Sequence, residues 1–254
     1  MSLKRKPPSG NVRRTICLGN NFRGVTTNKR GRIVQFESEQ EHKLVLLLER
    51  DPTVVDFISQ PETFHFYDDK GRKRCYTPDF KVWRSDGQIE LHEVTIEARR
   101  EAQKPVPQRE IAAQEICKQR GWRYIVHTEK TLPLGYEYVN LEFLAAFRGK
   151  SYITEKITGW WMKHLNGLER YYPRAILSLA GSVPANPPEL TLNERELLNG
   201  LYYLLWHGVI QLEWHQPFLW QGDFHSNARI WLSAKDPIVS LRQEKDVYNK
   251  EELL

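Results

Sequence analysis

Residues Tyr76 to Thr95 constrain the fold of this chain more than any other stretch. Tyr76-Thr77-Pro78-Asp79-Phe80 leads into an apolar strand, Ser85-Asp86-Gly87 supplies a turn, and a return strand ends in Glu93-Val94-Thr95. Side chains alternate along a strand, so Asp79 and Lys81 share a face, as do Glu93 and Thr95. Whether the two faces coincide depends on the turn. A two-residue turn at Asp86-Gly87 would set Asp79 against Val94 and put Glu93 on the far side. A three-residue turn with Gly87 in the left-handed conformation pairs Arg84 with Gln88 and Asp79 with Glu93, and this is the expected arrangement. Directly opposed carboxylates lie ~5 Å apart at Cβ. They repel, and a divalent cation is the natural compensation.

The flanking sequence builds a sheet around this hairpin. Ser38 is placed to cap a helix whose capping-box position is Glu41 and whose apolar stripe is Leu44, Leu47 and Leu48. Asp51-Pro52 ends it. Thr53–Ser59 and Glu62–Tyr67 read as strands, Asp68–Gly71 as a turn, and Arg74–Trp83 and Ile89–Ile96 as the hairpin strands. A helix over 108–120, closed by Gly121, precedes a strand over 122–127. Helix, antiparallel strands, helix, strand is an α/β arrangement: a mixed sheet with flanking helices. From about Lys150 aromatic residues crowd the chain. Residues 181–188 read as a linker and 193–207 as a helix. Val209–Trp214 and Phe218–Trp220 then flank a polar tip, with Asn227–Leu232 closing, a winged-helix-like sequence of elements. The expected domains are a basic arm over 1–36, an α/β domain over 37–149 that contains the hairpin, the winged-helix-like domain over 150–235 and a charged tail over 236–254.

The net charge of +5 is unevenly spread. Residues 1–36 hold nine Lys/Arg and no Asp or Glu, whereas the whole chain has 37 basic and 32 acidic residues. The body is therefore slightly acidic and the arm polycationic, which makes Lys4, Arg5, Lys6, Arg13, Arg14, Arg23, Lys29, Arg30 and Arg32 candidates for gripping DNA phosphates. Cys17, Cys75 and Cys117 are odd in number and form no CxxC pair, which suits a reducing compartment and offers no zinc site. Lys4-Arg5-Lys6 is followed by no apolar stretch, and no run approaches the ~18 apolar residues of a membrane helix, so a soluble intracellular protein is expected.

Glu41, Asp79 and Glu93 each have an ordinary structural explanation taken singly: a helix cap, a strand start and an edge residue. Together, at these spacings, they suggest a site for Mg²⁺ beside a phosphodiester, since hard cations take oxygen ligands and keep open water positions.

Phe36-Glu37-Ser38-Glu39-Gln40-Glu41, Leu48-Glu49-Arg50-Asp51-Pro52-Thr53-Val54, Gln60-Pro61, Tyr76-Thr77-Pro78-Asp79-Phe80 and Glu93-Val94 form an ordered series that closely resembles the TnsA endonucleases of heteromeric bacterial transposases, some of them in CRISPR-associated elements. The resemblance spans about Arg32 to Glu129. It implies a restriction-endonuclease-like core, a cytoplasmic bacterial location, dependence on Mg²⁺ (with Mn²⁺ substituting) and nicking at the 5′ ends of a transposon. The implied partners are double-stranded transposon-end DNA, a DDE-type transposase subunit TnsB that cuts the 3′ ends, and an AAA+ ATPase regulator TnsC. The family's metal-binding acids fall on Glu41 and Asp79, Glu93 takes the Gln-or-Glu position, and the Val94 carbonyl joins the metal set.

The departure from the family is Thr95, which stands where the pattern has Lys. An ammonium there would orient the attacking water and stabilise developing negative charge; Thr supplies no charge. Lys81 on the carboxylate face, or Arg99, Arg100 or Lys104, are the candidate replacements. Two other readings stay open: a catalytically degenerate architectural subunit, and a free-standing restriction or repair nuclease. The aromatic-rich C-terminal domain, whose helix over 193–207 has Arg195 as its one Lys or Arg, is expected to dock a transposition partner rather than read DNA.

Overall fold

The computed structural model describes residues 22–102, 107–149, 152–180 and 192–233. They divide into two units, the first ending at Pro133 and the second beginning at Leu134.

The first unit opens with β1 (Gly24–Thr27) and β2 (Ile33–Phe36), an antiparallel hairpin. An irregular arm was expected here. The β-branched Val25-Thr26-Thr27 and Ile33-Val34 favour strands despite the surrounding charge, and Val34 is fully buried in the core. Asn28, at the turn, is buried with its amide satisfied on both sides. Its Nδ2 donates to Asp56 Oδ1 at 2.7 Å and to the Phe57 carbonyl at 2.6 Å, while its Oδ1 accepts from the Arg30 and Arg32 amides at 3.0 Å each. Two expected DNA-gripping cations are thereby used within the fold: Lys29 donates to the Val54 carbonyl at 3.1 Å, and Arg32 pairs with Asp56 at 3.1 Å. Lys4, Arg5, Lys6, Arg13 and Arg14 lie outside the described residues.

Helix α1 (Glu39–Arg50) starts where Ser38 Oγ accepts the Glu41 amide at 3.2 Å and ends at Asp51. Its stripe of Leu44, Val45 and Leu48 packs with Phe57, Phe80 and Val82. The sheet strands are β3 (Val54–Ser59), β6 (Phe80–Arg84), β7 (Ile89–Val94) and β8 (Arg123–His127). They lie in the order β3-β6-β7-β8, the first three antiparallel and the β7–β8 pair parallel. Between β3 and β6 run β4 (Phe64–Tyr67) and β5 (Lys73–Tyr76), which pair with each other in a separate two-stranded ribbon. The single strand expected over Arg74–Trp83 is thus split at Thr77-Pro78-Asp79. Pro78 has no N–H for a ladder and restricts Thr77, so the chain leaves one sheet and enters another there.

After β7 come α2 (Glu97–Ala102) and α3 (Gln108–Arg120), the latter closed by Gly121 at φ +68°, as its sequence indicated. Ala113 and Cys117 of α3 pack with Leu91, Phe64 and Tyr76 on the other side of the sheet from α1. A mixed sheet between helical layers fits a restriction-endonuclease-like fold.

The second unit contains α4 (Tyr136–Ala145), α5 (Glu155–Leu165), α6 (Pro173–Leu177) and α7 (Glu194–Trp206). Sequence placed the division at 149/150, but α4 packs on α7. Its buried Asn140 donates to the carbonyls of Trp214 and Gln216 at 3.0 and 2.9 Å. Helix α7 begins with a capping box between Asn193 and Glu196. Gly200 lets α5 approach closely, since a Cβ there would lie 2.2 Å from Ile157 Cγ2. Strand β9 (Ile210–Leu212) pairs with β12 (Ile230–Leu232), not with Phe218–Trp220; β10 (Leu219–Trp220) instead forms a short hairpin with β11 (Asp223–Phe224). Trp161, Tyr203, Trp206 and Phe218 are fully buried, so much of the aromatic crowding is core. The segment 181–188 and the tail from 236 lie outside the described residues. No described helix is long and apolar enough to cross a membrane.

Candidate active site

The hairpin turn decides the site. Gly87 has φ +83°, and the Arg84 amide donates to the Gln88 carbonyl at 2.9 Å across a three-residue turn. Phe80 therefore pairs with His92 and Lys81 with Leu91. The ladder ends at Phe80, one residue after Asp79; continued by one step, this register would bring Asp79 opposite Glu93. The Val94 amide donates to Asp79 Oδ2 at 2.7 Å, fixing the aspartate against the return strand.

Glu93 is buried at 7% exposure, on the side of the sheet that faces α3. Tyr76, the last residue of β5, donates its hydroxyl to Glu93 Oε2 at 2.5 Å and lies 3.2 Å from the Tyr124 hydroxyl. Arg109, in the first turn of α3, brings Nη2 to 3.7 Å from Glu93 Oε1. The pKa of Glu93 is raised above the ordinary 4.5. Burial is the largest cause; the Tyr76 hydrogen bond and then Arg109 oppose it without cancelling it, and smaller repulsion from Glu110 and Glu41 adds to it. The same burial and the neighbouring Glu93 charge push the phenols of Tyr76 and Tyr124 up. Glu110 is itself buried at 1% exposure, with Oε2 lacking a hydrogen bond and 3.7 Å from Arg100.

Glu41 serves the start of α1. Its Oε2 accepts the Glu37 amide at 2.8 Å and its Oε1 accepts the Ser38 hydroxyl at 2.9 Å. It reaches Glu93 electrostatically all the same. Gln60 ties these parts together: its amide donates to the Asp79 carbonyl at 2.7 Å and its Nε2 to Glu37 Oε1 at 3.1 Å. It does so from a left-handed backbone at φ +45°, a conformation costly for a residue with a Cβ.

The candidate cations separate clearly. Lys81 shares the carboxylate face, but its ammonium lies 4.0 Å from the Trp122 ring centroid and 3.6 Å from Glu62. Arg100 faces Glu110 and Arg99 is exposed. Lys104 lies outside the described residues. Thr95 is buried at 8% exposure, its amide bonded to the His127 carbonyl at 2.9 Å. Arg109, which approaches Glu93 most directly among these, was missed by sequence reading because a helix-borne residue meets the hairpin only through tertiary packing. Tyr76 and Glu110 were missed for the same reason, although Tyr76 stood in a stretch already singled out.

Residues 51–129 match the family described as TnsA-like endonuclease N terminal. This segment is similar to the N-terminal domain of TnsA-like endonucleases. The match contains Asp79, Glu93, Thr95 and Arg109 and supports a nuclease role; Glu41 and the second unit fall outside it. No curated protein matches the chain. Among the described residues no group of three or more His, Cys, Asp or Glu side chains is arranged to hold a metal ion. The described residues of this segment thus offer Asp79, tied to the Val94 amide, and the buried Glu93 rather than a closed cage.

Proposed function

We propose that this chain is the metal-dependent DNA endonuclease of a heteromeric cut-and-paste transposase, cutting the 5′ ends of its element. The observation that carries the reading is the hairpin register, Phe80 against His92, which continued one step would oppose Asp79 and Glu93, within a segment similar to TnsA-like endonucleases. The all-oxygen donor set and the repulsion around Glu93 suit a hard cation. Mg²⁺ commonly takes one or two carboxylates and completes its shell with water and substrate phosphate, so a closed cage is not required.

Asp79, Glu93 and the Val94 carbonyl would hold Mg²⁺ or Mn²⁺, with Glu41 completing the set or positioning a second ion. The ion, when bound, supplies an activated water and offsets charge on the phosphodiester. The chain's residues do the rest. The Val94 amide fixes Asp79, the Tyr76 hydroxyl orients Glu93, and Gln60 joins the strand end to the start of α1. Arg109 brings positive charge to the Glu93 side, where Thr95 brings none. The product would carry a 3′-hydroxyl. Duplex transposon-end DNA, a DDE-type transposase (TnsB) and an AAA+ regulator (TnsC), all in the bacterial cytoplasm, are the proposed partners.

The rival reading, an architectural subunit with a degenerate site, draws on Thr95 and on the engagement of Lys81 with Trp122 and Glu62. Nicking by Glu41→Ala, Asp79→Ala and Glu93→Ala variants in Mg²⁺ tests the choice. Loss in all three, with thermal unfolding still cooperative, supports the nuclease; cutting by all three places the chemistry elsewhere.

A further inference from the structure

The β4–β5 ribbon is absent from the main sheet, and its far end is exposed from Asp69 to Cys75. Four of the five residues from Lys70 to Arg74 are Lys or Arg. Tyr67, a large aromatic, stands 73% exposed beside them. A solubilising function would account for scattered charge, but the Arg72 and Arg74 side chains are held in place. Asp68 accepts the Nε of both Arg72 and Arg74 at 2.9 Å, together with the amides of Lys70 and Arg72 at 3.0 and 2.9 Å. Those bonds hold its carboxyl well below the ordinary range, at about 2. Two guanidiniums are thus set side by side before any partner arrives, which lowers the entropy lost on binding.

The ribbon is also fixed relative to the acids. Phe64 and Tyr76 at its base are buried in the α3-side core, the Tyr76 hydroxyl bonds Glu93, and the Asp69 amide meets Gln108 Oε1 at 3.3 Å. Lys73 lies three strand positions from Tyr76, roughly 10 Å at about 3.3 Å per residue. Along a DNA strand that is about three nucleotides at 3.4 Å each. We propose that the β4–β5 ribbon grips the backbone of duplex DNA, contacting phosphates about three nucleotides from the bond presented to Asp79 and Glu93. The surface stands on its own geometry; its position relative to a cut bond rests on the nuclease reading above.

The test measures affinity of the full chain for a fluorescent duplex of about 30 base pairs against NaCl concentration, with Ca²⁺ replacing Mg²⁺ so that binding is read without cleavage. Two variants are compared with wild type: Lys70→Glu/Lys73→Glu, which leaves the Asp68 clamp intact, and Arg72→Gln/Arg74→Gln. Each is expected to flatten the slope of log K against log salt by about 0.9 for every phosphate no longer neutralised, hence by roughly 1–2, at an unchanged unfolding temperature. Unchanged slopes in both variants, or failure of wild type to bind duplex, overturn the proposal; a ribbon that instead captures an acidic protein gives that result. Parallel nicking in Mg²⁺ separates the two claims. Flattened slopes with an inert wild type sink the nuclease and keep the ribbon, whereas wild-type cutting with unchanged slopes does the reverse.

Discussion

Replacing Glu93 by Gln should make the protein more stable while disabling its site. The carboxylate is 7% exposed, burial raises its pKa above 4.5, and Glu110 and Glu41 repel it. A glutamine of the same length keeps an acceptor for the Tyr76 hydroxyl and removes the buried charge, at the loss of the Arg109 attraction across 3.7 Å. Because the pKa is raised on balance, the charge costs more than its partners return. Relief of such functional-site strain is worth about 0.5–2 kcal/mol. That corresponds to a rise in unfolding temperature of roughly 1–8 °C for a chain of this size. The sign with pH follows from linkage. A carboxyl raised in the folded state destabilises it only where the group ionises, so the gain is full above the folded pKa. It fades as pH falls through the folded pKa toward 4.5. Differential scanning fluorimetry at pH 8 and pH 4.5, with and without Mg²⁺, reads the effect. Mg²⁺ should raise the unfolding temperature of wild type more than that of Glu93→Gln. A variant less stable than wild type at pH 8, or an equal shift at both pH values, refutes the reasoning.

On the other face of the hairpin, buried Glu90 bonds His92 Nε2 at 3.1 Å and Arg84 Nε at 2.7 Å, while His92 Nδ1 meets His127 Nε2 at 2.9 Å. Burial, and then the neighbouring His92, depress His127 to about 4, so stability should fall as pH drops from 6.5 toward 4, and His127→Gln should flatten that part of a urea-midpoint-versus-pH curve. Gly200→Ala should cost about 1–3 kcal/mol in chemical denaturation by forcing Ile157 away from α7. If charge at the site limits cutting, Thr95→Lys should speed nicking, whereas Lys81→Ala should leave the single-turnover rate unchanged because its ammonium is engaged with Trp122 and Glu62.

Local chemistry was legible in the sequence and tertiary approach was not. Gly87 at the third turn position was enough to set the three-residue turn and the register that pairs Phe80 with His92. Ser38 and Gly121 marked helix ends because capping and left-handed geometry are properties of a few adjacent residues. The β1–β2 hairpin was misread because its cations outweighed its β-branched residues, although Asn28 and Val34 turn out to be buried. Pro78 carried a strand-break signal that was passed over in favour of the acid beside it. Lys81 was assigned to the right face, but alternation says nothing of where a long side chain leans, and Trp122 lies over forty positions away in sequence. Arg109 and Glu110 belong to a helix whose packing on the hairpin no local pattern encodes.

The central claim, that Asp79 and Glu93 form the cutting site of a transposon endonuclease, is tested most directly by strand-resolved cleavage of a DNA substrate carrying the element's ends, in Mg²⁺, with the partner transposase present. The account predicts 5′-end nicks by wild type, each leaving a 3′-hydroxyl, and their loss in Asp79→Ala and Glu93→Ala while the partner's 3′-end cuts persist. Nicks of undiminished yield in both variants, or 5′ ends left uncut by wild type, would contradict it.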